Sequence, residues 1–222
     1  MKKPLIILGG MGPQASVHLH QLINKGDGSF KAPDEFPLTL HASIPVPDFI
    51  ASAEATDDAV AMINQVTSTL PMDAACAVGI ACNTAHLLLD RLNLPQRTFV
   101  SMIDAVSDDI VSEGAKKVGL LASPFTLSSG LYDAALKSRG VEVVKPSDAQ
   151  VQELNEIIHG VIGGDDPVSM RPQLSAIALS LRQRGADSIL LGCTELPLVG
   201  VTIDGLVIDS LSSLARHLLK RV

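Results

Sequence analysis

The sequence predicts an α/β fold of two pseudosymmetric lobes, each a short parallel sheet flanked by helices. Three observations carry this expectation. Short β-branched or leucine-rich runs alternate with longer helical patterns along the chain. Most of those runs are apolar on both alternating faces, as a sheet covered by helices on both sides requires. Finally, the residues that close the runs in the first half recur in the second.

Taken in order, Leu5-Ile6-Ile7-Leu8 is a strand and a helix follows from about Pro13 to Asn24. Pro37-Leu38-Thr39-Leu40 is the second strand, with a helix from about Asp57 to Leu70. Further strands are expected at Ala77–Ile80, Thr98–Val100, Val118–Leu121, Val141–Val144, Ser188–Leu191 and Leu206–Ile208. The repeat shows at the strand ends. Ile7-Leu8-Gly9-Gly10 corresponds to Leu120-Leu121-Ala122-Ser123, and Gly79-Ile80-Ala81-Cys82-Asn83-Thr84 to Leu190-Leu191-Gly192-Cys193-Thr194, with Cys82 and Cys193 lying 111 positions apart. The expected division is an N-terminal lobe of residues 1–104, completed by a C-terminal helix over 209–222, and a C-terminal lobe of residues 105–208.

Composition narrows the function classes. Of 222 residues, 46% are apolar and 18% charged, too hydrophobic for a disordered chain and too often broken by Gly, Pro and Asp for a membrane one. Seventeen Lys and Arg against 24 Asp and Glu give a net charge of −7, and no basic run exceeds two residues, so nucleic acid is not an expected partner. Lys2 and Lys3 precede an apolar run, Leu5 to Leu8, that is too short for a signal-peptide core. A cytoplasmic location follows as the expectation. Three cysteines in a chain of this length do not form a disulfide framework, which leaves catalysis, metal binding or burial.

In parallel α/β sheets, ligands gather beyond the carboxyl ends of the strands. Cys82 and Cys193 both stand there, each followed by small polar residues: Asn83-Thr84 before the helical run Ala85–Leu89, and Thr194-Glu195 before Leu196-Pro197. A sulfur at a helix N-terminus meets unpaired N–H groups and the positive end of the dipole, which favours thiolate, and the same donors hold a carboxylate. Two such turns facing each other suit inversion of a stereocentre. One group takes a proton from one face of a carbon while the other delivers a proton to the opposite face. The alternative is that both cysteines are buried packing residues. Cys76, in Asp73-Ala74-Ala75-Cys76-Ala77, is read that way. A zinc site from Cys82, His86 and Cys193 offers only three nameable ligands. His86 and Glu195 are candidates to steer the thiols' protonation, with helix capping as the competing role.

Gly9-Gly10-Met11-Gly12-Pro13-Gln14-Ala15 closes the first strand, and Gly10-x-Gly12-x-x-Ala15 formally matches the dinucleotide fingerprint. The second strand leads into His41-Ala42-Ser43-Ile44-Pro45 rather than the acid a ribose requires. A close approach to a small anion, or a tight turn without a ligand, are the other readings.

Together, Gly9-Gly10-Met11-Gly12-Pro13, Cys82-Asn83-Thr84-Ala85-His86 and Gly192-Cys193-Thr194-Glu195 resemble the three signature turns of the cofactor-independent aspartate/glutamate racemase family. Lys117-Val118-Gly119-Leu120-Leu121-Ala122 extends the resemblance into the second lobe. The resemblance implies an active-site cleft at the lobe interface, with neither pyridoxal phosphate nor metal, and Cys82 and Cys193 as the catalytic pair. It further implies a small amino-acid or related carboxylate substrate, carboxylate binding by Asn83, Thr84 and Thr194, further substrate contacts at Met11, Ala85 and Thr126, and a homodimer. The implied activity is that of an isomerase, an amino-acid racemase or epimerase.

Three departures bear on substrate. Family members acting on aspartate usually place an Arg after Pro-Asp, where this chain has Pro47-Asp48-Phe49, and a Lys before a glycine, where Ile162-Gly163-Gly164 stands. Ser123-Pro124-Phe125-Thr126 replaces a Thr/Gly-rich turn, and Pro124 has no N–H to give. A carboxylate desolvated without a cation is costly, so Phe49 is read either as lining an apolar side-chain pocket or as a packing plug. A hydantoin racemase, a maleate-type isomerase, a decarboxylase of the same fold and a non-catalytic small-molecule binder are the alternative readings.

Overall fold

The strand β1 (Leu5–Gly9) is buried at every position, as a strand with neighbours on both edges and helices on both faces must be. In the computed structural model, which describes residues 2–26, 28, 30 and 32–222, β1 lies between β2 (Thr39–Ser43) and β3 (Ala77–Ile80). The three form a parallel sheet of order β2-β1-β3. A second parallel sheet has the order β5-β4-β6-β7, built from β4 (Lys117–Leu121), β5 (Glu142–Val144), β6 (Ser188–Leu191) and β7 (Leu206–Asp209). Both sheets place the first strand in sequence beside the second and third, and the second sheet adds β7. The chain divides into two compact units, Met1–Met102 with Leu214–Val222 and Ile103–Ser213.

In the first unit, α1 (Pro13–Lys25) begins with Pro13, whose missing N–H is not needed in a first turn. It buries Ala15, Leu19 and Ile23. The next helix, α2 (Ala53–Thr67), starts four residues earlier than its apolar periodicity indicates, because the Ser52 side chain accepts from the Ala55 N–H and caps it. Val60 and Ile63 of α2 pack with Ile6, Leu8, Val78 and Ile80 of the sheet. Each such side chain, fully buried, stabilises the unit by roughly 1.5–3 kcal/mol. Thr98–Val100 does not form a full strand. It makes one parallel bridge, Val78 to Phe99, with hydrogen bonds from Val78 N–H to the Thr98 carbonyl and from Val100 N–H to the Val78 carbonyl.

The second unit contains α4 (Pro124–Ser129), α5 (Leu131–Lys137), α6 (Asp148–Gly163), α7 (Arg171–Gln183) and the one-turn α8 (Leu196–Val199). A capping box between Ser147 and Gln150 starts α6. Leu154, Ile157 and Ile158 of α6 pack with Leu174, Ile177 and Leu181 of α7 on Leu121, Ile189 and Leu191 of the sheet. Two helices straddle the unit boundaries: α3 (Met102–Ser112) and α9 (Ser210–Leu219). The Leu214 and Leu218 side chains of α9 lie over Gly79 in β3. Among the described residues, no helix is long and apolar enough to cross a membrane.

The glycine turn after β1 has a packing explanation. Gly10 sits at φ 95°, and a Cβ there would meet the Ile44 backbone nitrogen at 2.4 Å and its oxygen at 2.5 Å. Its N–H donates to Ser16 Oγ at 2.9 Å, and Ser16 Oγ donates to the Gly12 carbonyl at 3.1 Å. Ile44 N–H in turn donates to the Gly9 carbonyl. The turn is therefore locked onto its own helix and the segment after β2, and the Gly10 donor is committed to Ser16. Gly10→Ala, combining left-handed strain with a backbone clash, is expected to destabilise by about 3 kcal/mol or more. Gly114→Ala, at φ 78° with nothing near its Cβ site, should lose only about 1 kcal/mol. Equilibrium urea unfolding of the two variants checks the difference.

Candidate active site

The two cysteine turns are built alike, each in its own unit. Leu8 pairs with Ile80, Ala81 N–H donates to the Leu8 carbonyl at 2.8 Å, and Cys82 follows. Leu121 pairs with Leu191, Gly192 N–H donates to the Leu121 carbonyl at 2.7 Å, and Cys193 follows. Each cysteine thus comes one residue after the final hydrogen bond to its central strand. Both are partly exposed, and neither is in a disulfide. Cys76 donates toward the Lys3 and Pro4 carbonyls at the opposite, amino end of β3.

The helical environment of the sulfurs differs from the expectation. After Cys82 the chain forms a 3-10 helix, Thr84–Arg91, and after Cys193 only the four-residue α8. The residues at the cap positions, Asn83 and Glu195, are both in the right-handed helical region. Neither helix is long, so the polar character of each turn comes mainly from its individual backbone and side-chain groups rather than from a long macrodipole.

In the first unit, Cys82, Met11, Phe49 and Val46 are partly buried hydrophobic residues packed against one apolar cluster, of which the fully buried Ala85 is a member. Asn83 is 3% exposed, and Thr84 next to it is partly buried. The Phe49 carbonyl accepts from Thr56 Oγ1 at 2.6 Å, which ties its loop to the first turn of α2.

His86 is 6% exposed, and both of its ring nitrogens are occupied. Met102 N–H donates to Nε2 at 2.9 Å, so Nε2 carries the lone pair, and Nδ1, 2.9 Å from the Cys82 carbonyl, carries the proton. These partners require a neutral imidazole. His86 therefore fixes the backbone of the cysteine turn, with Phe99 tilted against its ring at 6.0 Å. It is not presented as a zinc ligand. Among the described residues, no three His, Cys, Asp or Glu side chains are grouped as a metal site.

In the second unit, Glu195 is 5% exposed and its Oε2 accepts from Cys193 Sγ at 3.0 Å and from Thr194 Oγ1 at 3.1 Å. The Thr194 hydroxyl, expected on a substrate carboxylate, here faces Glu195. Thr126 is 1% exposed in α4, where its N–H and hydroxyl both meet Ser123 Oγ in a local cap. Because β4 and β6 are adjacent in the sheet, this cap and the Cys193 turn lie at neighbouring strand ends.

Tyr132 of α5 has no counterpart in the sequence expectations. It is fully buried, its Cε2 lies 3.1 Å from where a Gly192 Cβ would be, and burial together with the neighbouring Cys193 thiol pushes its phenol pKa up. Gly192 precedes Cys193 because the tyrosine ring and Leu120 leave no room for a side chain there. As the chain's one tyrosine, at helical spacing from the buried Leu136, it carried a signal in composition alone.

The model of the Asp/Glu/hydantoin racemase family matches residues 8–218. Among solved structures, the chain is similar to the aspartate racemase of Picrophilus torridus, at 29% identity over 98% of this chain and 93% of that one, with a TM-score of 0.83. It is similar also to an aspartate racemase homologue from Pyrococcus horikoshii, at 28% identity over 98% of each chain, with a TM-score of 0.81. The broad specificity amino-acid racemase RacX of Bacillus subtilis is 25% identical over 95% of this chain and 94% of its own length. The chain spans only about half the length of the curated glutamate racemases it matches. With the family model covering all but a few terminal residues, this protein belongs to the Asp/Glu/hydantoin racemase family.

Proposed function

We propose that the protein is a cofactor-independent amino-acid racemase in which Cys82 and Cys193 are the two acid/base groups. The observation that carries this reading is the matched placement of two partly exposed sulfurs just beyond the carboxyl end of a buried parallel strand in each unit. Family membership supports it, as does the full-length match to a racemase of broad specificity.

In the proposed reaction, one cysteine enters as thiolate and removes the α-proton, becoming a thiol. The other enters as thiol and delivers its proton to the opposite face, becoming a thiolate. Proton count and charge are unchanged, and the reverse reaction exchanges the roles. The step moves protons alone, so it calls on no redox group. Asn83 and Thr84 beside Cys82, and the backbone donors beside Cys193, are the proposed holders of the substrate carboxylate. The side-chain specificity is for neutral rather than acidic amino acids. Met11, Val46 and Phe49 pack against the same apolar cluster as Cys82, and Phe49 and Gly163 stand where the family resemblance would put the cations of aspartate-acting members.

Cys82→Ser and Cys193→Ser are each expected to reduce racemisation by roughly 10²–10⁴-fold. Loss of the α-proton signal in D2O, followed by NMR, is the measurement, and full turnover by a Cys82→Ala/Cys193→Ala double variant would contradict the mechanism. A chiral chromatographic screen should give neutral amino acids, such as leucine or methionine, a kcat/KM at least about tenfold above aspartate and glutamate. A preference for the acidic pair would overturn the assignment of substrate.

A further inference from the structure

The outer face of α7 carries a groove that the core does not fill. About 620 Å³ in volume, it runs between that helix and the segment 200–205 leading into β7, with Ser175, Leu179, Thr202, Ile203 and Asp204 among its lining residues. That volume lies in the range of small-molecule sites. Leu179 is 49% exposed, an apolar side chain left uncovered in mid-helix. Two α7 side chains already hold the neighbouring chain: Arg171 Nε donates to the Val199 carbonyl at 2.8 Å, and Ser175 Oγ accepts from the Thr202 N–H at 2.9 Å.

A third side chain reaches the segment without bonding to it. Arg182 lies one turn beyond Leu179 and two beyond Ser175, on the same face of α7. Its Nη2 stands 2.7 Å from where a Gly205 Cβ would be, so the guanidinium occupies the space that the glycine leaves. Nη1 is covered and has no hydrogen-bond partner. Asp204, the residue before Gly205, is exposed at the groove wall. Among the described residues, neither Arg182 nor Asp204 is in an ion pair. Two opposite, unpaired charges therefore meet at Gly205, at the end of a partly apolar groove.

We infer that this groove is a second, non-catalytic site for a neutral α-amino acid, whose carboxylate pairs with Arg182, whose ammonium pairs with Asp204 and whose apolar side chain lies along Leu179 and Ile203. The charges select the ligand class. A simple anion would be repelled by Asp204 and a simple cation by Arg182, whereas a zwitterion pairs with both. The guanidinium is ordered by packing before any ligand arrives, so its charge-assisted bonds to a carboxylate form with little further loss of freedom. The cavity lined by Glu153, Glu156 and Gln173 offers charge of one sign only and does not meet this requirement. The inference is independent of the two-thiol reading.

The test uses the full chain carrying Cys82→Ser and Cys193→Ser, so that turnover does not alter the probe, with isoleucine methyl groups labelled with ¹³C for NMR. The Ile203 signal is identified by its loss in Ile203→Val. L-Methionine at millimolar concentration should shift this signal saturably, and Arg182→Gln and Asp204→Asn should each weaken that binding by about tenfold or more. L-Methionine methyl ester, which lacks the carboxylate, and N-acetyl-L-methionine, which lacks the ammonium, should be weakened to a similar degree. The absence of a saturable shift at Ile203 overturns the inference, as does a shift that survives both charge variants. Binding of N-acetyl-L-methionine as tight as that of L-methionine also overturns it, by marking an anion site. The readout sits in the groove and needs no reaction. A failed racemisation assay therefore leaves it readable, and an unresponsive Ile203 leaves the two-thiol racemase standing.

Discussion

Two backbone hydrogen bonds set where the two matched cysteines of this protein stand. Ala81 N–H to Leu8 and Gly192 N–H to Leu121 are the last rungs that tie β3 and β6 to their central strands, and in each unit the next residue is a cysteine. A residue inside the ladder is covered by helices on both faces, whereas one past it leaves the sheet and turns toward solvent. A shift of one residue in either strand would return its sulfur to the core or carry it into the following helix. The buried apolar runs Ile6–Leu8 and Leu120–Leu121 fix that register, so the core packing of each unit also determines the placement of its thiol.

Beyond that shared geometry the turns diverge. The Cys82 turn is braced through its carbonyl by a neutral histidine, and Cys82 packs against the same apolar cluster as Met11, Val46 and Phe49. The Cys193 turn places a buried carboxylate directly on the sulfur and a buried tyrosine beneath the preceding glycine. A reaction that asks the same task of both sulfurs in alternation does not require identical surroundings. The proposed reaction requires only that each sulfur reach both protonation states.

The strands were legible where the sequence is apolar on both faces. Leu5–Leu8, Ala77–Ile80 and Ser188–Leu191 lie within a residue of their observed limits, because their short length and flanking turn residues favour a doubly covered strand over a buried helix. The second strand was placed two residues early: the Pro37 nitrogen cannot join a ladder, and pairing with β1 continues through His41 and Ser43. The start of α2 depended on a single serine cap, and the reduction of Thr98–Val100 to one bridge on which residues of β3 remained to be paired. At the candidate site, the sulfurs were visible from their matched turns. The direction of Glu195 toward sulfur rather than backbone, the two partners of His86 and the position of Tyr132 all depend on side-chain orientation, which spacing does not encode.

The central claim is that Cys82 and Cys193 serve a single substrate molecule. Substrate protection against alkylation, read residue by residue by peptide mass spectrometry, tests it most directly. A saturating amino-acid substrate should slow modification of Cys82 and Cys193 together and leave Cys76 unaffected. Protection of one sulfur without the other, or of neither, would contradict the account.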